Sequence, residues 1–247
     1  MSGAINMSWL NSSEAESLIP YFYDDKSRTR RRYGLLERPS LPPSIEEVTY
    51  KIFMIGRPGV GKSSVVSRFS GIAHENYVSS EINGIRKTMV YWPVKIWDKV
   101  VLFRLNFWDT TESSIKKYSH VLPVCIHIHK QFIACKEKVD AICSIFSFED
   151  PSSFNDIPYL MNSMSNIKER PANVVIGTRY KPWSTLPVTE LQLKEFESKW
   201  KVKVIKVDVS KTTARPEILD CAYQLNSICK ALWNRDQEFI TKQIHVI

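Results

Sequence analysis

The apolar residues of this chain fall into short runs that alternate with segments of helical spacing. Tyr50–Ile55 reads as a first strand, and Lys62–Ser70 as the first helix. Ile85–Val94 and Val100–Trp108 are apolar and rich in β-branched residues, so they read as two paired strands. Pro93 is expected to end the first of them, and Trp97-Asp98-Lys99 to turn between them. Asp140–Phe148 and Val174–Gly177 have the unbroken apolar character of central strands buried on both faces. Val202–Val207 reads as a further strand. Asp150 opens a segment expected to be helical as far as Asn166. Val188–Trp200 reads as an amphipathic helix with Leu191, Phe196 and Trp200 inward. Arg215–Trp233 places Ile218, Cys221, Ala222, Leu225, Ile228 and Leu232 near helical spacing. Gly71–Gly84 is polar and reads as a loop, and Ser113–Lys138 as a long helix or loop region.

Six strands that alternate with helices, apart from one hairpin, imply an α/β fold. The sheet is expected to be mostly parallel and covered by helices on both faces, with ligand loops at the carboxyl ends of its strands. Residues 1–48 read as an N-terminal extension punctuated by Pro20, Pro39, Pro42 and Pro43. Residues 49–234 form the domain, with an insertion at about 123–132, and residues 235–247 a C-terminal tail.

Composition narrows the class without naming a function. At 247 residues the chain can bury one sizeable core and carry appendages. No apolar run is long enough to span a bilayer, and Met1–Leu10 lacks the features of a secretory signal. Five scattered cysteines fit a reduced compartment better than a disulfide framework, which points to the cytoplasm. The net charge is +8, and the excess lies beyond residue 49, where 28 Lys/Arg face 19 Asp/Glu. Such a surface suits anionic lipid or an acidic protein, or is simply solvated. No nucleic-acid motif accompanies it. A basic cluster in the extension (Lys26, Arg28, Arg30, Arg31, Arg32) reads as a docking segment or a solvated charge run.

The strongest chemistry lies in Gly56-Arg57-Pro58-Gly59-Val60-Gly61-Lys62-Ser63, between the first strand and the first helix. This is Gly-x-x-x-x-Gly-Lys-Ser in its strand–helix context, the signature of a P-loop NTPase. A glycine-rich turn lets backbone N–H groups, including that of Ser64, converge on phosphate oxygens at a helix N-terminus. Lys62 reaches the β- and γ-phosphates, and the Ser63 hydroxyl can ligate Mg²⁺. Asp109 ends the third strand, where a carboxylate can hold the same Mg²⁺ through water. Thr178-Arg179-Tyr180-Lys181 and Asp208-Val209-Ser210-Lys211 leave later strands at the same edge, so four candidate segments share one plane. Cys125, His127 and His129 alternate, but their spacing matches no closed zinc pattern.

With these residues in view, Tyr50–Trp233 resembles a Ras-superfamily small GTPase of the Rab-like group. Arg32-Tyr33-Gly34-Leu35-Leu36-Glu37-Arg38-Pro39, Tyr91-Trp92-Pro93-Val94-Lys95, Phe107-Trp108-Asp109 and Ile145-Phe146-Ser147-Phe148 resemble one branch more closely. That branch holds the REM- and Rab-like small GTPases of the ciliogenesis and planar polarity effector complex. The resemblance implies GTP or GDP with Mg²⁺ as ligands, and a nucleotide contacted by Gly56–Ser64, Asp109, Thr178, Arg179, Lys181, Ser210 and Lys211. It implies Inturned-, Fuzzy- and Fritz-type partners, a basal-body location, recruitment of intraflagellar transport proteins, and planar polarity as a second context.

Departures from the family pattern alter the chemistry that the resemblance implies. Pro58 has no N–H to give a phosphate. Ile82 stands where the family threonine meets Mg²⁺, Glu112 where a glycine senses the γ-phosphate, and Ser113 where a glutamine orients the attacking water. Lys181 replaces the aspartate that accepts from guanine, and a lysine only donates. The expectation is a nucleotide-holding subunit with weak or no hydrolysis; the alternatives are a pseudo-GTPase scaffold or, from another class, a P-loop kinase or ATPase. Thr241–Ile247 holds no cysteine for prenylation and Ser2 is not glycine, so membrane contact is expected through partners or the basic surface.

Overall fold

The computed structural model describes residues 5–23, 45–70, 85–110, 139–164, 170–209 and 218–244. Six strands form one sheet: β1 (Glu46–Ile55), β2 (Ile85–Ile96), β3 (Lys99–Thr110), β4 (Ala141–Ser147), β5 (Ala172–Thr178) and β6 (Val204–Val207), in the order β2-β3-β1-β4-β5-β6. Only the β2–β3 pair is antiparallel; the other four pairings are parallel. β4 is buried at every position, as its unbroken apolar sequence requires of a strand covered on both faces. The expected mostly parallel α/β sheet is therefore present.

Two apolar layers sandwich that sheet. One face packs Ile52 and Met54 against α2 (Lys62–Ser70) and the last helix, α6 (Ala222–Ile244), through Val65, Val66, Phe69, Leu225, Ile228 and Leu232. The other packs Phe146, Phe148 and Val175 against α3 (Pro151–Asn155), α4 (Ile157–Met164) and α5 (Glu190–Trp200). Each fully buried large side chain contributes about 1.5–3 kcal/mol. Gly177 is a glycine for steric reasons, since a Cβ there would lie 2.3 Å from the Phe148 ring and 2.8 Å from that of Phe146.

Several elements differ from the sequence expectation, each for a tertiary reason. Pro93 does not end β2, which continues to Ile96. β2 is the edge of the sheet, where a missing ladder donor is tolerated. The helix expected over Asp150–Asn166 is two helices meeting at Asp156, with Asp150 capping the first through the N–H of Ser152. In α5 it is Leu193 that is buried, with Phe196, while Leu191 is 66% exposed. A capping box at Thr189 and Gln192 fixes where that helix starts and so which face is inward. β6 begins at Val204 rather than Val202.

Among the described residues, segments near both ends of the chain pack on the domain. The last helix passes Trp233 and runs to Ile244. Its Arg235 pairs with Asp140 (3.0 Å) and Asp236 (2.7 Å), and Tyr50 donates its hydroxyl proton to Asp236 (2.8 Å). Asp140 also accepts from the N–H of Lys51 (2.8 Å), so this clasp ties α6 to the middle of β1 and the amino end of β4. Burial and Asp236 push the Tyr50 phenol well above its ordinary range. Near the start of the chain, Ile5 bridges Ile96, Trp9 and Ala15 are buried, and Leu18 and Ile19 of α1 (Ser13–Tyr23) pack on the core. Lys95 bonds both carboxylate oxygens of Glu14, which also accepts from the Trp9 indole.

Candidate functional site

β1, β3, β4 and β5 all deliver their carboxyl ends to one edge of the sheet, as parallel pairing demands. The turn from β1 to α2 stands at the centre of that edge. Gly56, Gly59 and Gly61 have φ of +147°, +78° and +95°, values that L side chains rarely adopt. Gly56 is further constrained, because a Cβ there would lie 2.3 Å from the carbonyl oxygen of Ile145.

Five carbonyls of this turn, those of Gly56, Arg57, Gly59, Val60 and Gly61, are satisfied by the chain itself. Lys62 Nζ donates to the carbonyls of Gly56 (2.8 Å) and Arg57 (3.0 Å). Arg179 Nη2 donates to Gly59 (2.9 Å), and the Thr178 hydroxyl to Val60 (2.5 Å). The carbonyl of Gly61 takes the N–H of Val65 (2.9 Å), which starts α2. Satisfied carbonyls anchor the turn from outside, the arrangement in which successive N–H groups make an anion nest at a helix N-terminus. Lys62 brings a positive charge to the mouth of that nest.

Beside it, the Ser63 hydroxyl donates to Asp109 Oδ2 at 2.5 Å, and Asp109 is only 8% exposed. A hydroxyl and a carboxylate oxygen in contact, next to an anion nest, are the hard donors that Mg²⁺ takes alongside phosphate oxygens. The residues present fit that ion.

The segment after β5 forms the other half of the edge. Thr178 is fully buried, and its hydroxyl lies within bonding range of the Phe146 carbonyl (3.1 Å) as well as that of Val60. It thereby ties β4, β5 and the phosphate loop together. Arg179 has φ of +56°, a conformation that costs a non-glycine residue about 1–3 kcal/mol. That backbone turn aims its guanidinium at Gly59. Lys181 pairs with Glu149 at 2.8 Å, and Arg179 approaches the same carboxylate at 3.7 Å. The Lys181 ammonium holds the Glu149 carboxyl below its ordinary range. Tyr180 turns away, packing on Phe148 with its hydroxyl donating to Glu190 (3.2 Å).

The structure thus brings together Gly56–Ser64, Asp109, Thr178, Arg179 and Lys181. Ser210, Lys211, Ile82, Glu112, Ser113, the Cys125–His129 run and the basic cluster at Lys26–Arg32 lie outside the described residues. Two participants were missed by sequence reasoning. Glu149 follows the apolar end of β4 and receives Lys181 across 32 residues. Asp156, at the break between α3 and α4, forms a two-point pair with Arg57 across 99 residues (2.5 and 3.0 Å). An acidic residue just past a strand was the one local hint, and it carries no indication of a partner.

The model of the Ras family matches residues 51–219, more than half of the chain and every described residue of this edge. The chain belongs to the Ras family. The family's small-GTPase fold accounts for the six-stranded sheet and the strand–loop–helix at its centre. Among individual proteins, it is similar to Ciliogenesis and planar polarity effector 2 of Xenopus laevis, at 37% identity over 84% of each chain. The mouse protein of that name is 36% identical, over 86% of this chain and 83% of its own. The human one is 33% identical, over 93% and 89%. A Ras domain with relatives so named supports a small-GTPase-like role in ciliogenesis and planar polarity. No helix among the described residues is long and apolar enough to cross a membrane.

Proposed function

We propose that this chain is a GTP-binding, small-GTPase-like subunit that works with Inturned-, Fuzzy- and Fritz-type proteins at the basal body, supporting cilium assembly, intraflagellar transport protein recruitment and planar polarity. Hydrolysis of GTP is weak or absent. The observation that carries the reading is the phosphate loop, whose carbonyls from Gly56 to Gly61, Pro58 aside, are held by Lys62, Arg179, Thr178 and Val65. A loop so anchored offers its N–H groups to an anion at little further cost in ordering.

In this reading Lys62 meets the β- and γ-phosphates, and Ser63 and Asp109 hold Mg²⁺, which when bound neutralises phosphate charge. The resemblance adds Ser210 and Lys211 as further nucleotide contacts. Weak hydrolysis rests on Ser113, which has no amide to orient a water, and on Glu112, whose charge opposes the γ-phosphate. Membrane contact is made through partners.

A second reading has its own support. Arg57–Asp156 and Arg179–Gly59 hold the phosphate loop with the chain's own groups, so a pseudo-GTPase scaffold would keep its shape without nucleotide. Phosphate release by the purified chain, followed at saturating GTP and Mg²⁺, tests the hydrolytic part: the expected rate is indistinguishable from buffer, and steady multiple turnover contradicts it. Capture of Inturned and Fuzzy by wild type and by Lys62→Ala separates the two readings. Loss of partners together with nucleotide supports a nucleotide-dependent subunit; full capture by a nucleotide-free variant supports the scaffold.

A further inference from the structure

The base side of the site carries charges that the phosphate side does not explain. Thr178 and Arg179 touch the phosphate loop at Val60 and Gly59, so this segment is a wall beside the loop, on the side where the resemblance sets the base of a bound nucleotide. Three charged groups line it. Lys181 is bound to Glu149 at 2.8 Å, and Arg179 spans Glu149 and the Gly59 carbonyl. Tyr180 is committed to Phe148, Glu190 and the Lys206 ammonium.

Base discrimination needs complementary groups. Guanine presents two donors on one edge, N1–H and the N2 amino group, and is read there by a carboxylate, which only accepts. Adenine presents an acceptor at N1 beside a donor at N6. The wall supplies cationic donors, and its carboxylate, Glu149, is engaged by both of them. Among the described residues neither purine edge finds a dedicated partner, because the donors can meet O6 or N7 of guanine and N1 or N7 of adenine alike.

Resting on the nucleotide-binding reading above, we propose that the Arg179–Glu149–Lys181 clasp makes this site unselective between guanine and adenine nucleotides, and that Lys181 is the residue that sets this. Affinity then comes from the phosphate loop and Mg²⁺, and the chain loads with whichever purine nucleotide is abundant. Glu149 is a positioning residue: it keeps the Lys181 ammonium from standing unpaired in the base site.

Competition of GDP and ADP against a ribose-labelled fluorescent nucleoside diphosphate, with Mg²⁺ and the full chain, tests this directly. Wild type is expected to bind the two within about threefold, less than one good hydrogen-bonded contact would produce. Lys181→Asp is expected to favour GDP over ADP by about tenfold or more, the scale of a two-point base contact. Lys181 is half exposed, so the substitution leaves the core intact. Glu149→Gln is expected to weaken GDP and ADP alike. A wild-type preference for GDP of a hundredfold or more, or an unchanged ratio in Lys181→Asp, overturns the inference and leaves nucleotide binding standing. Failure of wild type to bind either nucleotide removes both.

Discussion

The proposed phosphate and base halves of the site are built from the same edge of the same sheet, yet they suit their proposed ligands unequally. In the phosphate half, three glycines at positive φ, Lys62, Ser63 and Asp109 occupy the positions that anion and cation chemistry require. In the base half, Lys181 stands where the resemblance expects a carboxylate, and it is neutralised by Glu149. The difference shows which parts of such a site the fold itself needs. The phosphate loop is also the link between β1 and α2, so its geometry is enforced by packing; a side chain at Gly56 would run into the Ile145 carbonyl. The outer residues of the base loop are half exposed and carry no such burden, so they can change without unfolding the chain.

That contrast can be broken most severely at Gly56. Gly56→Ala combines a clash at 2.3 Å with a φ of +147°, and is expected to cost about 3 kcal/mol or more in urea unfolding. Lys62→Ala removes the ammonium that holds the Gly56 and Arg57 carbonyls and that the proposal sets against phosphate. It is expected to weaken GDP binding by about 10–100-fold, the worth of a hydrogen bond to a charged group, measured by titration calorimetry. Thr178→Val keeps the volume and deletes the hydroxyl that donates to Val60, at a cost of about 1–3 kcal/mol in stability for a buried carbonyl left unmet.

The smallest effect is in pH. Glu149 is depressed by Lys181, and Glu190 by Lys206. Depressed carboxylates contribute stability that is present above the ordinary value of about 4.3 and lost as pH falls through their lower folded values. Both are exposed, so the loss per pair is expected to be only about 0.2–1 kcal/mol. Denaturant midpoints in Lys181→Ala should fall less between pH 6 and 3 than in wild type; an equal fall means that the Glu149 pair contributes nothing.

What could be read from the sequence was whatever is local. The alternation of apolar runs with helical spacing encodes the sheet, and Gly56–Ser63 encodes the phosphate loop within eight residues. What escaped depends on partners far along the chain. The polar stretch after Trp233 reads as a tail until Arg235 and Asp236 meet Asp140 and Tyr50. The sparse apolar residues near the start are an extension until Ile5 meets Ile96. Pro93 reads as a strand end because sequence alone does not say that β2 is an edge. The base half failed in the same way: Lys181 reads as a missing acceptor, but its neutralisation by Glu149 is a tertiary fact.

The most direct test of the central claim, that the phosphate half still grips a nucleotide, is to denature the chain after native purification in Mg²⁺ and identify what it releases by chromatography. A purine nucleoside di- or triphosphate close to one per chain, and lost in Lys62→Ala, is the predicted result. Wild type that releases none, and gains none on incubation with GTP or GDP, would contradict it.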